Sequence, residues 1–322
     1  MAVELMKEKW QGKVLGVEIG ATKEKGGTRS SVLSLGGQSC LPFLYEEGEM
    51  PHKPAVAFEV WDTAPADWPK ELADQFSDVS GDPAAWAQKC VQKFGAKAIC
   101  LRLQGAHPDT GNRSPDEEAK ILQKVLKAVA VPLIVQGCGD DEKDNALFPV
   151  ISEAAKGERL LIGSAVQDNY KTLVAACLAD GHDIIAESPI DVNIAKQLNI
   201  LITDMGLAPE KIVINPTVGA LGYGLEYAYS IMERCRLSAL SGDKMLAMPF
   251  IGFIGQEAWR AKEAKSGEQE FPGFGSQKER GIAWEAVTAA ALLQAGCDLL
   301  VMRHPKAVEE TVRYIEAMMG GR

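Results

Sequence analysis

Polar side chains recur in this sequence where apolar runs end, and their types decide which chemistry the chain can support. Most are amides, hydroxyls and carboxylates, with one arginine, one cysteine and one histidine among them. They are Glu59, Gln104, Gln136, Cys138, Asp140, Glu187, Ser188, Asn215, Thr217, Gln256, Arg303 and His304. Amides and hydroxyls can hydrogen-bond the amide groups of a polar heterocycle. We therefore expect these positions to bind a ligand.

The segment Gly137-Cys138-Gly139-Asp140 places two glycines around a thiol at the end of an apolar run. Glycine allows the backbone to approach a large flat ligand closely. The same segment also fits a tight turn in which Asp140 caps the following helix. Both interpretations remain open at the level of sequence.

A strand, a polar tip, a glycine loop and a helix follow one another between Ile212 and Leu240. Asn215 and Thr217 form the tip, and Gly219 opens the glycine loop, where the backbone must turn sharply or approach something closely. The helix that follows has an apolar face at spacings of 3, 4, 3 and 4, formed by Leu225, Ala228, Met232, Cys235 and Ala239. This order predicts one βα unit of a parallel sheet.

Similar units recur along most of the chain. The candidate strands are 55–60, 98–104, 133–138, 160–165, 183–188, 212–217, 248–254 and 298–304, each apolar on both faces and followed by a helix-like stretch. Asp82-Pro83 and Ser114-Pro115 are typical helix starts, and Ile190, Ile194, Leu198 and Leu201 predict a buried stripe on the fifth helix. Eight such alternations predict an α/β fold, a (β/α)8 TIM barrel.

Two segments do not follow this repeat. Residues 14–20 and 30–37 predict a β-hairpin, so we expect residues 1–50 to form a hairpin extension and connector that plugs the barrel or contacts a partner. Residues 51–322 then form the barrel. A polar, glycine-rich insertion at 266–281 interrupts it on the side where TIM barrels bind ligands.

Composition excludes several classes of function. The chain has 322 residues, of which 46% are hydrophobic, and a net charge of −10. The negative charge disfavours nucleic acid and anionic membranes as partners. Residues 1–13 lack the apolar core of a signal peptide, and no apolar run reaches the length of about 20 residues that spans a bilayer. We therefore expect a cytoplasmic protein.

Metal and nucleophile motifs are also absent from the sequence. The seven cysteines include no CxxC pair, which argues against an iron–sulfur cluster or a structural zinc held by this chain and favours reduced core thiols. HExxH, GxSxG and P-loop motifs do not occur. His304 precedes Pro305, and we favour a capping role for it over metal ligation.

Several ordered segments resemble one known family, the small (delta) subunit of the corrinoid iron–sulfur protein of the reductive acetyl-CoA pathway, also called the acetyl-CoA decarbonylase/synthase delta subunit. They are GATKEKGGTRS (20–30), WAQKC (86–90), VQGCGDDEKD (135–144), ESPIDVNIAKQLNILI (187–202), INPTVGALGYGLEYAYSIMER (214–234), GDKMLAMP (242–249), EAWRAKEA (257–264), WEAVTAAALLQAG (284–296) and VMRHPKAV (301–308). Together they extend over nearly the whole chain.

The resemblance implies a non-catalytic TIM-barrel subunit of a carbon-fixing, anaerobic methyl-transfer system. Its partner would be a large subunit that carries the iron–sulfur cluster, with a cobamide (a cobalt corrinoid) held between the two chains over the barrel mouth. The heterodimer would take a methyl group from methyltetrahydrofolate through a separate methyltransferase and pass it to acetyl-CoA synthase. This chain would then supply no metal ligand and no catalytic acid or base.

We expect the cobamide to contact residues at the barrel mouth, namely Gly137, Cys138, Gly139, Asp140, Ser188, Asn215, Thr217, Gly219 and Arg303. The 212–240 stretch also resembles, more faintly, the pterin-binding methyltransferase barrels. In this region those barrels carry an acidic residue, and the corresponding residue of this chain is Asn215. This difference weakens a claim that this chain binds methyltetrahydrofolate. A free-standing pterin-dependent methyltransferase is therefore the alternative, and a purely structural scaffold is a third possibility.

Overall fold

A closed barrel of eight parallel strands confirms the predicted TIM-barrel fold. The structure, a computed structural model, describes residues 6–320. A separate antiparallel hairpin, β1 (Gly16–Ile19) and β2 (Leu33–Gly36), precedes the barrel. The barrel strands are β3 (Ala55–Trp61), β4 (Ile99–Arg102), β5 (Leu133–Gln136), β6 (Leu161–Ala165), β7 (Asp183–Glu187), β8 (Ile212–Asn215), β9 (Phe250–Gly252) and β10 (Cys297–Met302). Pairing of β10 with β3 closes the cylinder.

Helices surround the barrel, and several begin and end where local sequence signals place them. They are α1 (Lys70–Ala73), α2 (Pro83–Phe94), α3 (Pro115–Ala128), α4 (Asp141–Ala154), α5 (Tyr170–Asp180), α6 (Val192–Asp204), α7 (Leu225–Leu240), α8 (Ile254–Ala258), α9 (Lys262–Lys265), α10 (Gln277–Ala295) and α11 (Pro305–Gly320). Asp82 caps α2, and Ser114 forms a capping box with Glu117 at the start of α3. His304 Nδ1 accepts the Lys306 N–H at 3.1 Å, which confirms its capping role at α11.

The hairpin fills the N-terminal end of the barrel. Val17, Ile19 and Leu35 are buried in one cluster with inward-facing residues of the barrel strands. On the strands these residues are Ala57, Cys100, Ile134, Leu161, Ile185, Val213, Ile251, Leu299 and Val301, and the cluster also includes Ala98 directly before β4 and Phe253 directly after β9. β1 also contacts the single-turn helix at 209–211, which directly precedes β8. Of the two roles expected for the hairpin, the structure supports that of a plug.

Some local expectations differ from the structure. Ile190 was expected in the buried stripe of the fifth helix, but it precedes the Asp191 N-cap of α6 and is 42% exposed. Helix α10 begins at Gln277, so the last residues of the 266–281 insertion are helical. The predicted boundaries at residues 1–5 and 321–322 lie outside the described residues.

All seven cysteines are free and buried, as the interpretation of reduced core thiols requires. Within residues 6–320, no helix combines the length and the apolar character needed to cross a bilayer.

Candidate functional site

A cavity of about 220 Å³ lies at the C-terminal ends of the barrel strands, where TIM barrels carry their working sites. Its lining combines residues from β4 to β9 and the loops that follow them. The lining residues are Arg102, Gln136, Gly137, Gly139, Asp141, Asp144, Ser164, Val166, Glu187, Asn215, Thr217, Val218, Phe253, Gln256 and Glu257. The cavity is smaller than a typical drug-sized ligand site of about 300–1,000 Å³. It therefore suits a small group or the protruding part of a larger ligand.

The lining contains more charge than we expected from the sequence. One arginine and four carboxyl groups, those of Asp141, Asp144, Glu187 and Glu257, face the cavity together with the amides. Carboxylate, carboxamide and hydroxyl oxygens therefore outnumber free donors at this surface. Such a lining favours a ligand that donates N–H groups.

Gly137 and Gly139 line the cavity because the turn after β5 wraps around one carboxyl group. Asp144, on α4, accepts the backbone N–H groups of Cys138 at 2.9 Å and Gly139 at 3.1 Å. A Cβ atom on Gly137 would lie 2.4 Å from Asp144 Oδ2, so this position requires glycine. The backbone thus approaches the cavity at the place where the sequence suggested close contact.

The thiol of Cys138 points into the protein. Its Sγ donates to Asp144 Oδ1 at 3.2 Å, and burial, with the nearby Asp144, raises the pKa of the Cys138 thiol to about 12. Asp140 accepts the Lys143 N–H at 2.9 Å and caps α4. Neither side chain lines the cavity. For Asp140 the structure therefore supports the role of a helix cap.

The tip of β8 is held by hydrogen bonds from its own side chains. Asn215 Nδ2 donates to Glu187 Oε2 at 2.8 Å, and Asn215 Oδ1 accepts the Thr217 N–H at 3.1 Å. Thr217 has a φ of +55°, a conformation that is uncommon outside glycine. Its hydroxyl group donates to the Ser188 carbonyl oxygen at 3.3 Å. Asn215 and Thr217 both line the cavity, and the turn between them is fixed in place.

Ser188 and Gly219 support this tip from outside the cavity lining. The Ser188 N–H donates to the Asn215 carbonyl oxygen at 2.9 Å, and its side chain is fully buried. A Cβ atom on Gly219 would lie 2.6 Å from the Tyr223 carbonyl oxygen. Both residues were expected at the ligand, and the structure gives them positions that shape the loops.

Arg303 forms a buried ion pair beside the mouth. Its Nε and Nη2 atoms donate to the two oxygens of Glu59, each at 2.8 Å, and Trp61 Nε1 donates to Glu59 Oε1 at 2.6 Å. Burial acts to raise the pKa of Glu59, but the charge and hydrogen bonds of Arg303 outweigh it and lower the pKa overall. The guanidinium of Arg303 also lies over the Trp68 ring at 4.8 Å. This pair carries no free charge toward a ligand.

A second buried carboxyl group positions the backbone after β10. Glu285, on α10, accepts the N–H groups of Arg303 at 2.6 Å and His304 at 3.1 Å, and Trp259 Nε1 at 2.7 Å. Burial raises the pKa of Glu285 to about 7 despite these three donors. The last strand of the barrel is therefore tied to α10.

Arg102 is the cation of the cavity lining, and sequence reasoning missed it. The predicted strand extended to Gln104, whereas β4 ends at Arg102, whose side chain therefore points into the mouth. Its guanidinium lies over the Trp61 ring at 5.5 Å and donates to Gln104 Oε1 at 3.0 Å and to Gln256 Oε1. A charge inside an otherwise apolar run was the signal that could have revealed it.

Several buried polar atoms at the strand ends have no hydrogen-bond partner in the described part of the chain. Gln136 Oε1 and Ser164 Oγ belong to cavity-lining residues on β5 and β6, and Ser188 Oγ lies behind the end of β7. Ser164 was not expected from the sequence because it lies inside a predicted strand. Buried polar atoms usually have partners, so these unpaired oxygens are unusual, and two of them belong to residues that line the cavity.

Among residues 6–320, no group of three or more His, Cys, Asp or Glu side chains is arranged to hold a metal ion.

Solved structures with a similar fold include TIM barrels of low sequence identity. Dihydropteroate synthase from Xanthomonas albilineans in complex with 7,8-dihydropteroate matches with a TM-score of 0.56 at 15% identity, over 85% of this chain and 97% of that chain. The dihydropteroate synthase from Coxiella burnetii matches with a TM-score of 0.54 at 12% identity, over 88% and 99%. At this identity the likeness establishes the fold alone.

Sequence comparisons are far more specific. The subunit delta of the acetyl-CoA decarbonylase/synthase complex from Archaeoglobus fulgidus is 39% identical over 95% of this chain and 68% of its own length. The corresponding subunit from Methanopyrus kandleri is 39% identical over 97% and 76%. A family model described as CO dehydrogenase/acetyl-CoA synthase delta subunit matches residues 16–311. The chain therefore belongs to the CO dehydrogenase/acetyl-CoA synthase delta subunit family.

Proposed function

We propose that this protein is the small subunit of a heterodimeric corrinoid iron–sulfur methyl carrier and that it caps the cobamide of that carrier. Family membership supports a role in the acetyl-CoA pathway as a subunit of a larger complex. In the proposed heterodimer, the large subunit carries the iron–sulfur cluster. A separate methyltransferase delivers the methyl group from methyltetrahydrofolate, and acetyl-CoA synthase receives it. Both of these enzymes bind transiently.

The observation that carries this proposal is the acceptor-rich cavity with unpaired oxygen atoms at its wall. A cobamide is a large ring edged with carboxamide side chains, and each carboxamide donates two N–H groups. The 220 Å³ cavity is too small for the ring and suits one of these side chains. Gln136 Oε1 and Ser164 Oγ supply acceptors that have no partner within residues 6–320. The residues present therefore fit the group.

The chain's own residues would hold and shield the ring edge. Gln136, Ser164 and Glu187 accept hydrogen bonds, while Gly137 and Gly139 let the backbone come close. When bound, the cobamide supplies a cobalt centre that accepts and releases the methyl group. Arg303 is paired with Glu59, so its guanidinium adds no free charge to that face. The protein thus contributes orientation and exclusion of water.

Removal of the unpaired acceptors tests the role of the cavity. The double variant Gln136→Leu, Ser164→Ala keeps the shape of the wall and deletes two acceptors. After co-expression with the large subunit, we expect a lower cobamide content per heterodimer and an altered visible spectrum of the remaining corrinoid. The matched control is Gln167→Leu, an exposed glutamine after β6 that does not line the cavity. Full cobamide content with an unchanged spectrum in the double variant would count against the capping role.

A pterin-dependent methyltransferase is the second candidate, because an acceptor-rich cavity of this size also suits a bicyclic heterocycle with N–H donors. One observation weighs against it. Both polar atoms of the Asn215 amide already bond within the protein, to Glu187 and Thr217. We expect the isolated chain not to bind methyltetrahydrofolate in equilibrium titration. Tight binding with methyl transfer to free cobamide would favour the enzyme instead.

A further inference from the structure

The ring of helices around the barrel has an opening between its first and last large members. Helix packing continues from α2 through α3, α4, α5 and α6 to α7, and from α7 through α10 to α11. Between α11 and α2 there is a groove of about 1,220 Å³ that reaches the outer face of β3. It lies on the side of the barrel, separate from the cavity at the mouth.

The floor of this groove is apolar. Phe58 on β3 stacks against Phe94 on α2 with ring centroids 5.8 Å apart. Ile282 and Val308 contribute from α10 and α11, and Val312 on α11 is 37% exposed. An apolar floor between two helices is the usual seat of a third amphipathic helix.

The rim of the groove is basic although the whole chain has a net charge of −10. Six cationic side chains line it against two carboxylates. The cations are Lys53, Lys93, Lys97, Lys278, Lys306 and Arg313, and the carboxylates are Glu309 and Glu316. Lys306 and Arg313 lie 3.0 and 3.8 Å from Glu309. Among the side chains described here, Lys53, Lys97 and Lys278 form no ion pair, so the rim presents unneutralised positive charge.

We infer that the groove between α2 and α11 receives an amphipathic helix with acidic flanks from the large subunit, an inference that rests on the proposed function. The apolar stripe of that helix would cover Phe94 and Val312, and its carboxylates would face Lys53, Lys97 and Lys278. A helix with side chains is about 10–12 Å wide, so this volume corresponds to about seven to ten helical residues. The incoming helix completes the ring around the barrel.

Binding of the purified chain to the purified, cysteine-rich large subunit tests this inference. Val312→Asp places a carboxylate on the floor and should weaken binding by about tenfold or more. The matched control is Val287→Asp on α10, since Val287 is 48% exposed and lies outside the groove. Circular dichroism and thermal melting of both variants check that the fold is retained.

Reversing the charge of lysines on the rim provides an independent test. Lys53→Glu with Lys97→Glu should weaken binding most strongly at low salt, because screening reduces the attraction at high salt. Lys120→Glu with Lys124→Glu, on the exposed face of α3, is the control of equal charge and should have little effect.

A photo-crosslinker at position 312 identifies the occupant. We expect it to capture an acidic, helical peptide of the large subunit. Wild-type affinity in both groove variants, or capture of a second copy of this chain, would overturn the inference and leave the proposed function standing. Failure of the wild-type chain to bind the large subunit at all would overturn both.

Discussion

Single residues around the mouth show how the chain keeps buried charge compatible with folding. Arg303 neutralises Glu59 through two hydrogen bonds of 2.8 Å, and both side chains are almost fully buried. A buried pair of this kind contributes little net stability compared with an apolar pair. Loss of one partner, however, leaves the other charge without compensation.

The variant Arg303→Met should therefore destabilise the protein by about 3–5 kcal/mol, because Glu59 would remain buried without its partner. Urea unfolding followed by tryptophan fluorescence measures the change. Arg313→Met, which removes an exposed pair with Glu309, is the control and should leave the unfolding midpoint unchanged. Equal stability of Arg303→Met and wild type would show that the pair is not formed.

Glu118 gives a prediction about pH. Its carboxyl group is fully buried, 3.5 Å from Arg113. Burial, together with the neighbouring Asp62, raises the pKa of Glu118 from 4.5 to about 8. In the window between these values the unfolded chain loses a proton that the folded chain keeps. Stability is therefore highest below the lower pKa and falls as pH rises toward 8, by at most about 1.4 kcal/mol per pH unit.

In the variant Glu118→Gln this side chain cannot gain or lose a proton, so the free energy of unfolding should depend less on pH between 4.5 and 8. The free energy of unfolding of the variant, relative to that of the wild type, should increase from pH 5 to pH 8 in urea titrations. The exposed residue Glu153 supplies the control, Glu153→Gln, which should retain the wild-type slope. A Glu118→Gln profile parallel to that of the wild type would contradict the assignment.

From the sequence, a position at the cavity could be predicted where the backbone itself determines it. Gly137 and Gly139 were expected near a ligand because glycine permits close approach, and both line the cavity. Arg102 was missed because β4 ends two residues before the predicted strand end, which changes the side chain that faces the mouth. Ser164 was missed because it lies inside a predicted strand. Asp140 could be a cap or a contact, and only the three-dimensional structure could decide.

At the scale of elements, the hairpin and the barrel strands depend on one another. Val17, Ile19 and Leu35 complete the apolar interior that the inward residues of the strands leave open at the N-terminal end. The sequence indicated the hairpin through its two short apolar runs. The place where the hairpin packs depends on long-range contacts. The sequence alone therefore could not distinguish a plug from a partner-binding element.

Truncation inside the plug tests this dependence. Ile19→Ala should cost about 2–5 kcal/mol of stability, because Ile19 is completely buried at the barrel end. Leu44→Ala, at a side chain that is 43% exposed, should cost far less. Thermal or urea unfolding compares the two. Similar losses at both positions would mean that the hairpin does not seal the barrel.

Most residues of the insertion at 266–281 are exposed, so it is accessible to another chain. Arg280, near its end, donates to the carbonyl oxygens of Ser266 at its start and of Glu263 on α9, while Phe271 and Phe274 stack with centroids 5.4 Å apart. Phe274 is nevertheless 56% exposed. We propose that this segment contacts the large subunit.

Hydrogen exchange provides the measurement for this segment. Amide exchange in 266–281 should accelerate when the two subunits are separated, because the exposed Phe274 would lose its cover. The buried strand β8 serves as the internal control. Unchanged exchange in the segment on separation would contradict an interface there.

At the scale of the whole molecule, the features at the mouth and along the side are those of a subunit. Within residues 6–320 the mouth has acceptors without partners, and the groove has an apolar floor with a basic rim. The barrel was predictable because eight strand–helix repeats leave few other architectures. The groove was not, since it results from how two helices distant in sequence lie on the barrel.

The most direct test of the central claim is the cobamide content of the large subunit purified with and without this chain. We predict about one cobamide per heterodimer, with loss of bound cobamide, or of its reduction to the methyl-accepting state, when this chain is omitted. Full cobamide content and normal reduction in the large subunit alone would contradict the account.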